Sequence, residues 1–127
     1  MKKSARTFTK AELRILEKLW ERGSATVAEI VAALGPPPLA YTTVLTVLRV
    51  LERKGAVGHR PAGRAHVYRS LVERDDAART AVGEVLRSFF ANSKAALALR
   101  LLSEAKPSAA ELKRIKAVIS DYERKHR

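Results

Sequence analysis

The chain has 127 residues, with 25 lysines and arginines against 13 aspartates and glutamates, and it carries a formal net charge of +12. This length fits one domain, or a small domain with an appendage, and the charge indicates a polyanionic partner such as nucleic acid or an anionic membrane surface. The absence of cysteine excludes disulfide bonds, thiolate metal sites and cysteine nucleophiles.

Hydropathy gives no indication of a membrane segment. No run approaches the roughly 20 apolar residues that a membrane-spanning helix needs. The start of the chain, Met1, Lys2 and Lys3 followed by polar residues, lacks the apolar core of a secretory signal. We therefore expect a cytoplasmic protein that has no membrane partner.

Three tetrads predict helix N-termini. Residues 9–12 (TKAE), 26–29 (TVAE) and 108–111 (SAAE) each place a hydroxyl three residues before a glutamate. In this capping-box pattern, the hydroxyl and the carboxylate each accept a hydrogen bond from the other residue's backbone N–H. Apolar residues at helical spacing follow each tetrad, so we expect a helix after each one.

Three helices are predicted in the first part of the chain. Each ends at a glycine, which favours a helix C-terminus, or at prolines, which cannot continue a helix. The predicted ranges are 10–21, 27–34 and 41–54, followed in turn by Gly23, by prolines at 36–38 and by Gly55.

A basic β-hairpin is predicted next. Its strands are expected over residues 57–60 and 66–69, joined by a turn over residues 61–63. Its basic side chains are Arg60, Arg64 and Arg69.

Two histidines, His59 and His66, lie on these adjacent predicted strands. Without a third ligand, two histidines more often fill a hairpin than bind a metal, so we predict no metal site. Tyr68 is predicted to pack rather than to act in catalysis. The chain also has no phosphate-binding glycine loop, no G-x-S-x-G elbow and no H-E-x-x-H motif. We therefore predict neither enzymatic activity nor a cofactor.

The pattern is helical again from residue 73, with helices predicted over residues 75–90, 94–102 and 109–124. Charge differs between the two parts of the chain. Residues 1–72 contain 13 basic and 5 acidic side chains, whereas residues 73–127 contain 12 and 8. The N-terminal part is therefore the better candidate for binding a polyanion.

Three helices followed by a hairpin, in about 70 residues with a basic balance, is the order of a winged helix-turn-helix domain. The third helix of such a domain enters the major groove of DNA. Helical geometry gives this helix two faces. The apolar face consists of Val44, Val47, Leu48 and Leu51, and the opposite face of Thr42, Thr46, Arg49 and Arg53.

The polar face suits a DNA groove. Threonine offers a hydroxyl and a methyl group to base edges, and arginine reaches guanine or phosphate with two donors. Thr43 is placed to meet a phosphate or to hold the first turn, and Arg64 to reach phosphate or the minor groove. The alternatives are a solvated helix surface, a solvated turn arginine and, for Leu45, completion of the core rather than contact with a thymine methyl. The predicted DNA-binding residues are Tyr41, Thr42, Thr43, Thr46, Arg49, Arg53 and Arg64.

The C-terminal helices carry much apolar surface for so few residues. One alternative is a compact three-helix lid on the same chain. Because winged-helix proteins commonly bind two half-sites as dimers, we favour a dimerisation domain. The predicted dimerisation residues are Val82, Val85, Leu86, Phe89, Phe90, Leu112, Ile115, Ile119 and Tyr122. The predicted fold is mainly α with a small β-hairpin: a winged helix-turn-helix domain over residues 1–72 and a helical dimerisation domain over residues 73–127.

Three stretches, AELRILEKLWERGSATVAEIVAAL, YTTVLTVLRVLERKGAV and GRAHVYRSLVERDDAA, together resemble the penicillinase-repressor family, the BlaI and MecI type of bacterial transcriptional repressor. The resemblance covers almost the whole chain. It implies a homodimeric repressor that binds palindromic operators of β-lactam-resistance or other stress genes. It places Thr42, Thr43, Thr46 and Arg49 at recognition-helix positions and Arg64 in the wing.

The resemblance also implies a route of induction and shows a departure from it. In antibiotic-responsive members, signalling by a membrane sensor leads to cleavage at an Asn-Phe bond in the second dimerisation helix. The matching stretch of this chain has Arg100-Leu101 at that place. The partners implied are operator DNA, a second copy of the chain and an upstream sensor protease. The alternative function is a winged-helix module for protein assembly or nonspecific DNA binding.

Overall fold

All six predicted helices are present in the structure, a computed structural model that describes residues 7–126, and their ends lie within two residues of the predicted ones. In the described residues, no helix is both long and apolar enough to span a lipid bilayer. The helices are α1 (Lys10–Arg22), α2 (Val27–Ala33), α3 (Tyr41–Arg53), α4 (Arg74–Phe89), α5 (Lys94–Glu104) and α6 (Ala109–Lys125). The strands are β1 (Ala25–Thr26), β2 (Val57–Ala62) and β3 (Ala65–Ser70).

The three predicted capping boxes are confirmed. At the start of α1, the Glu12 N–H donates to Thr9 Oγ1 at 3.1 Å and the Thr9 N–H donates to Glu12 Oε1 at 2.8 Å. Thr26 caps α2 and Ser108 caps α6 in the same reciprocal way. These N-termini are thus fixed by side chains three residues apart, which is why they could be predicted from sequence.

The sheet has one strand more than the predicted hairpin. Its order is β1-β3-β2, and both pairings are antiparallel. In β1, Ala25 pairs with Tyr68 and Thr26 with Val67. A strand of two residues is too short to show an alternating pattern, so sequence periodicity missed it.

The predicted hairpin turn over residues 61–63 is wrong. Pro61 and Ala62 belong to β2, and Ala62 pairs with Ala65, so the turn consists of Gly63 and Arg64. Gly63 has a φ of 63°, a left-handed conformation that glycine adopts readily. Pro61 is tolerated within the strand because β2 lies at the edge of the sheet. Arg64 therefore stands at the tip of the hairpin.

The core of the N-terminal part forms where α1, α2 and α3 meet the sheet. At its rim, Trp20 Nε1 donates to Ser70 Oγ at 3.1 Å and to the Val72 carbonyl at 2.9 Å, which fixes the end of β3 against α1. The largest fully buried side chains are Ile15, Leu16, Leu19, Ile30, Val44, Leu48, Leu51 and Val57. The winged helix-turn-helix order of elements is thus confirmed.

The chain forms two compact units that divide between Glu84 and Val85. The unit that begins at Val85 contains the end of α4 together with α5 and α6. None of the three C-terminal helices contains a buried residue. These helices therefore leave their apolar side chains exposed or half-buried, in contrast to the closed core of the first unit.

Candidate nucleic-acid interface

Helix α3 has the two faces that the sequence predicts. Val44, Leu48 and Leu51 are fully buried in the core, and Val47 is half-buried. The residues of the opposite face, Thr42, Thr46, Arg49 and Arg53, are all exposed. Burial of one apolar stripe thus holds the helix and leaves its polar stripe free for a partner.

The segment that leads into α3 is tied to α1. The Arg14 guanidinium donates to the Gly35 carbonyl at 2.8 Å and to the Pro37 carbonyl at 2.7 Å. Prolines restrict this segment further, because their rings fix φ. A side chain of α1 therefore holds the segment that precedes α3.

The N-terminus of α3 has no side-chain cap. Its N-cap residue is Ala40, which makes no capping hydrogen bond, and no acidic residue lies in its first turn. By contrast, side-chain oxygens cap α1, α2, α5 and α6. The first N–H groups of a helix have no partner within the helix, and here they are left to bind an anion such as a phosphate.

The threonine hydroxyls of α3 differ in their hydrogen bonds. Thr42 and Thr43 are exposed, and their hydroxyls make no hydrogen bond to any residue between 7 and 126. Thr46 Oγ1 donates to the Thr42 carbonyl at 2.9 Å. Its hydroxyl proton is used within the helix, so Thr46 can offer a partner only its methyl group and its oxygen lone pairs.

The arginines of α3 and of the hairpin tip are not neutralised. In the described part of the chain, Arg49, Arg53 and Arg64 form neither a hydrogen bond nor an ion pair. Other arginines have carboxylate partners, as Arg22 has in Glu29 at 3.4 Å. Unpaired guanidinium groups keep their full charge and their donors for a polyanion.

An open cleft of about 380 Å³ lies between α3, the hairpin and the start of α2. It brings together three of the predicted DNA-binding residues, Tyr41, Arg49 and Arg64, whereas the other four do not line it. Leu45 lines the cleft and also packs against the core, so its predicted core role is observed, and contact with a thymine methyl stays a prediction. The cleft therefore joins the start of α3 to the tip of the hairpin.

The cleft also contains the histidine pair noted in the sequence, together with an acid, Glu52, that sequence reasoning did not connect to it. His59 Nδ1 lies 2.9 and 2.8 Å from the two carboxylate oxygens of Glu52, and the His59 ring stacks on His66 with centroids 4.6 Å apart. Among residues 7–126, no group of three or more histidines or acids could hold a metal ion. The positions of the two histidines on paired strands could have indicated their contact. No sequence pattern indicates the contact with Glu52, because Glu52 lies in α3.

Tyr68 is buried at the back of this cluster, and its predicted packing role is confirmed. Burial raises the pKa of its phenol, and the negative charge of Glu52 raises this pKa further, against the opposing effect of Arg49. The phenol therefore stays protonated at neutral pH.

The predicted dimerisation residues remain accessible. Six are exposed (Val82, Val85, Phe89, Leu112, Ile119 and Tyr122), and three are half-buried (Leu86, Phe90 and Ile115). Phe89 is 79% exposed, an unusual position for a large apolar side chain. Four further large apolar residues of α5 and α6 are exposed and were not predicted: Leu99, Leu101, Leu102 and Val118.

Comparisons with known proteins find similarity to transcriptional repressors and regulators. A family model described as penicillinase repressor matches residues 8–121. A penicillinase repressor from Bacillus licheniformis is 23% identical over 113 residues, which cover 88% of this chain and 88% of that protein. The solution structure of the DNA-binding domain of the repressor BlaI is 30% identical with a TM-score of 0.51, and the match covers 60% of this chain and 93% of that one. A transcriptional regulator from Thermotoga maritima, 20% identical, shares the fold with a TM-score of 0.53 over 92% of this chain and 78% of its own.

Proposed function

Because the chain belongs to the penicillinase repressor family, whose members are winged-helix DNA-binding repressors, we propose that it acts as a homodimer on a palindromic operator. The regulated genes are β-lactam-resistance genes or other stress genes, as in the family it belongs to. Family and fold are those of transcriptional regulators rather than enzymes. The observation that carries the proposal is the exposed Thr and Arg face of α3, whose arginines have no acidic partner among the described residues.

The proposal divides the interface into reading and anchoring residues. Thr42, Thr46 and Arg49 lie on the face of α3 opposite its buried stripe, and they read base edges in the major groove. The other four predicted residues bind phosphate, which gives affinity without sequence preference. These are Tyr41 and Thr43 at the uncapped start of α3, Arg53 in its last turn and Arg64 at the hairpin tip.

The exposed apolar surface of the C-terminal helices supports dimerisation. They contain no buried side chain, and their apolar residues include Phe89 at 79%, Val118 at 70% and Tyr122 at 63% exposure. Surface of this kind is removed from water when two copies associate. A two-fold dimer then matches the two-fold symmetry of a palindromic operator.

Induction is proposed to involve an upstream sensor protease. Arg100 and Leu101, at the place of the family's Asn-Phe pair, lie within α5, where Arg100 Nη1 is 3.4 Å from Glu104 Oε1. The chain is co-expressed with a membrane sensor protease encoded near its gene. Intact-mass measurement then tests whether the chain is cut. A cut at another bond, or none, would show that release of the operator does not use the family's position.

Selection from a pool of random-sequence duplexes tests DNA reading directly. The recovered sequence, here called the selected duplex, is compared with a scrambled duplex of the same composition at fixed salt. We expect recovery of a palindrome and a preference of at least about 1,000-fold for it, the lower end for specific DNA-binding proteins. Equal affinity for the two duplexes would instead support the alternative, a winged-helix module for protein assembly or nonspecific DNA binding.

A further inference from the structure

A contact between α3 and the hairpin links the two elements proposed to bind DNA. Glu52, in the last turn of α3, has both carboxylate oxygens within 2.9 Å of Nδ1 of His59 in β2. The side chains of His59 and Glu52 are 32% and 38% exposed. Either the neutral tautomer with a proton on Nδ1 or the imidazolium ion donates a hydrogen bond here. The contact therefore joins helix and hairpin in either protonation state.

The His59 ring is itself held from two sides. It stacks on the His66 ring at a centroid distance of 4.6 Å and an interplanar angle of 10°. It also lies against Tyr68, its partner across the β2-β3 ladder, with centroids 5.2 Å apart. Since Tyr68 is buried in the core, the ring of His59 has a fixed support, and Glu52 is bonded to a group that cannot swing freely.

The outer part of the hairpin has little else to fix it. Every residue from 59 to 66 is exposed, so this segment is supported by the strand ladder and by the contacts of its histidines. Arg64 lies at the tip of this segment, and Arg49 lies three residues before Glu52 on α3. Arg49 and Arg64 line the same cleft as Glu52 and His59.

We propose that Glu52 and His59 are positioning residues that fix the hairpin against α3, so that Arg64 and Arg49 contact the same duplex at the same time. The inference rests on the proposed function and deepens it, because it assigns a role to two residues that need not touch DNA. A negative charge by itself opposes binding to a polyanion. The positioning role explains why an acid, Glu52, nevertheless lies on this surface.

Two substitutions at Glu52 separate the hydrogen bond from the charge. Glu52→Gln removes the charge and keeps an acceptor for His59, whereas Glu52→Ala removes both. We expect Glu52→Ala to weaken binding of the selected duplex by about two- to tenfold, the factor for one lost hydrogen bond, with Glu52→Gln within about twofold of the wild type. If both variants bind more tightly than the wild type, charge dominates and the proposal is wrong.

A double-mutant cycle with Arg64→Ala provides the readout that a merely structural role would not change. If the contact places Arg64, the loss caused by Arg64→Ala shrinks in the Glu52→Ala background. Independent losses that add would overturn the proposal. His59→Phe, which keeps a ring to stack on His66 but has no donor, is expected to give the same non-additivity, and it serves if Glu52→Ala fails to fold.

The same titrations distinguish this inference from the proposed function. Wild-type protein that does not prefer the selected duplex over the scrambled one overturns both. Wild-type preference together with additive losses at Glu52 and Arg64 overturns the positioning role alone. Thermal unfolding of each variant identifies any loss of binding that comes from loss of fold.

Discussion

The ammonium group of Lys54, directly after α3, lies 2.8 and 2.9 Å from the two carboxylate oxygens of Glu12 in the first turn of α1. Glu12 is only 4% exposed and is also bonded to the Thr9 backbone N–H. Lys54 lies over the Phe8 ring as well, 5.6 Å from its centroid. The ion pair thus connects the end of the proposed recognition helix to the start of the first helix of the domain.

Stability should fall in acid because of Glu12. Burial raises the pKa of its carboxyl, but the hydrogen bonds from Lys54 and Thr9 and the charge of Lys54 outweigh burial, and the net pKa lies below 4.5. The native state then binds this proton less readily than the unfolded state does. Glu12 therefore contributes stability above pH 4.5, and this contribution is lost as the pH falls through the lower native pKa.

Urea unfolding of wild type and Glu12→Gln at a series of pH values measures this contribution. The difference in the free energy of unfolding should be largest at neutral pH and should shrink below about pH 4.5. Glu17→Gln, at an exposed position of the same helix, is the matched control and should leave the free energy of unfolding unchanged. A pH-independent difference for Glu12→Gln would contradict the assignment.

Arg49→Ala should reduce the preference for the selected duplex over the scrambled one more than it reduces affinity for DNA in general. A lost bidentate base contact costs about 1–3 kcal/mol on the selected duplex, and the scrambled duplex should lose much less. Titrations of both duplexes at one salt concentration give the ratio. Arg69→Ala removes the same charge from β3 and should affect the two duplexes alike. Equal losses on both duplexes from Arg49→Ala would exclude base reading by Arg49.

Thr46 should act through its methyl group, because its hydroxyl donates to the Thr42 carbonyl at 2.9 Å. Thr46→Val keeps a methyl group and should bind the selected duplex about as well as the wild type. Thr46→Ser keeps the hydroxyl, and it should lose about fourfold in affinity if one buried methyl contact is removed. The opposite order of the two affinities would show that the hydroxyl of Thr46, rather than its methyl group, contacts DNA.

Arg64→Ala should weaken both duplexes to a similar extent. Loss of one phosphate contact lowers the slope of log K against log salt concentration by about one. Titrations at several salt concentrations measure the slope, with Arg114→Ala on α6 as a control of equal charge. An unchanged slope, or a loss confined to the selected duplex, would contradict a phosphate contact by Arg64.

Phe89→Asp should convert the proposed dimer to a monomer. A charge on a side chain that is 79% exposed costs the monomer little, but in a dimer interface it would be buried without a partner. Sedimentation velocity reports the oligomeric state. Affinity for the selected duplex should fall by on the order of 100-fold, because the contact with the second half-site is lost. Ser88→Asp on the same helix is the control. A wild-type monomer, or a Phe89→Asp dimer, would contradict the proposed interface.

Much of this fold depends on signals that lie within a few residues of each other. The reciprocal bonds of Thr9 and Glu12, or of Ser108 and Glu111, involve residues three apart, so the sequence itself shows them. The faces of α3 follow in the same way from helical spacing, which separates Val44 and Leu48 from Arg49. A chain with these local preferences can form few other sets of helices.

Contacts between distant segments were decided only by the tertiary structure. Lys54 and Glu12 are 42 residues apart, and β1 pairs with β3 across a comparable length of chain, so no local pattern indicates either contact. Glu52 and His59 are seven residues apart, but they meet only because β2 turns back over the end of α3. The sequence by itself determined the helices and the polar face of α3, since capping and periodicity act within a turn or two. Packing of the core decided which charges are paired and which remain free, because it fixes where separate elements meet.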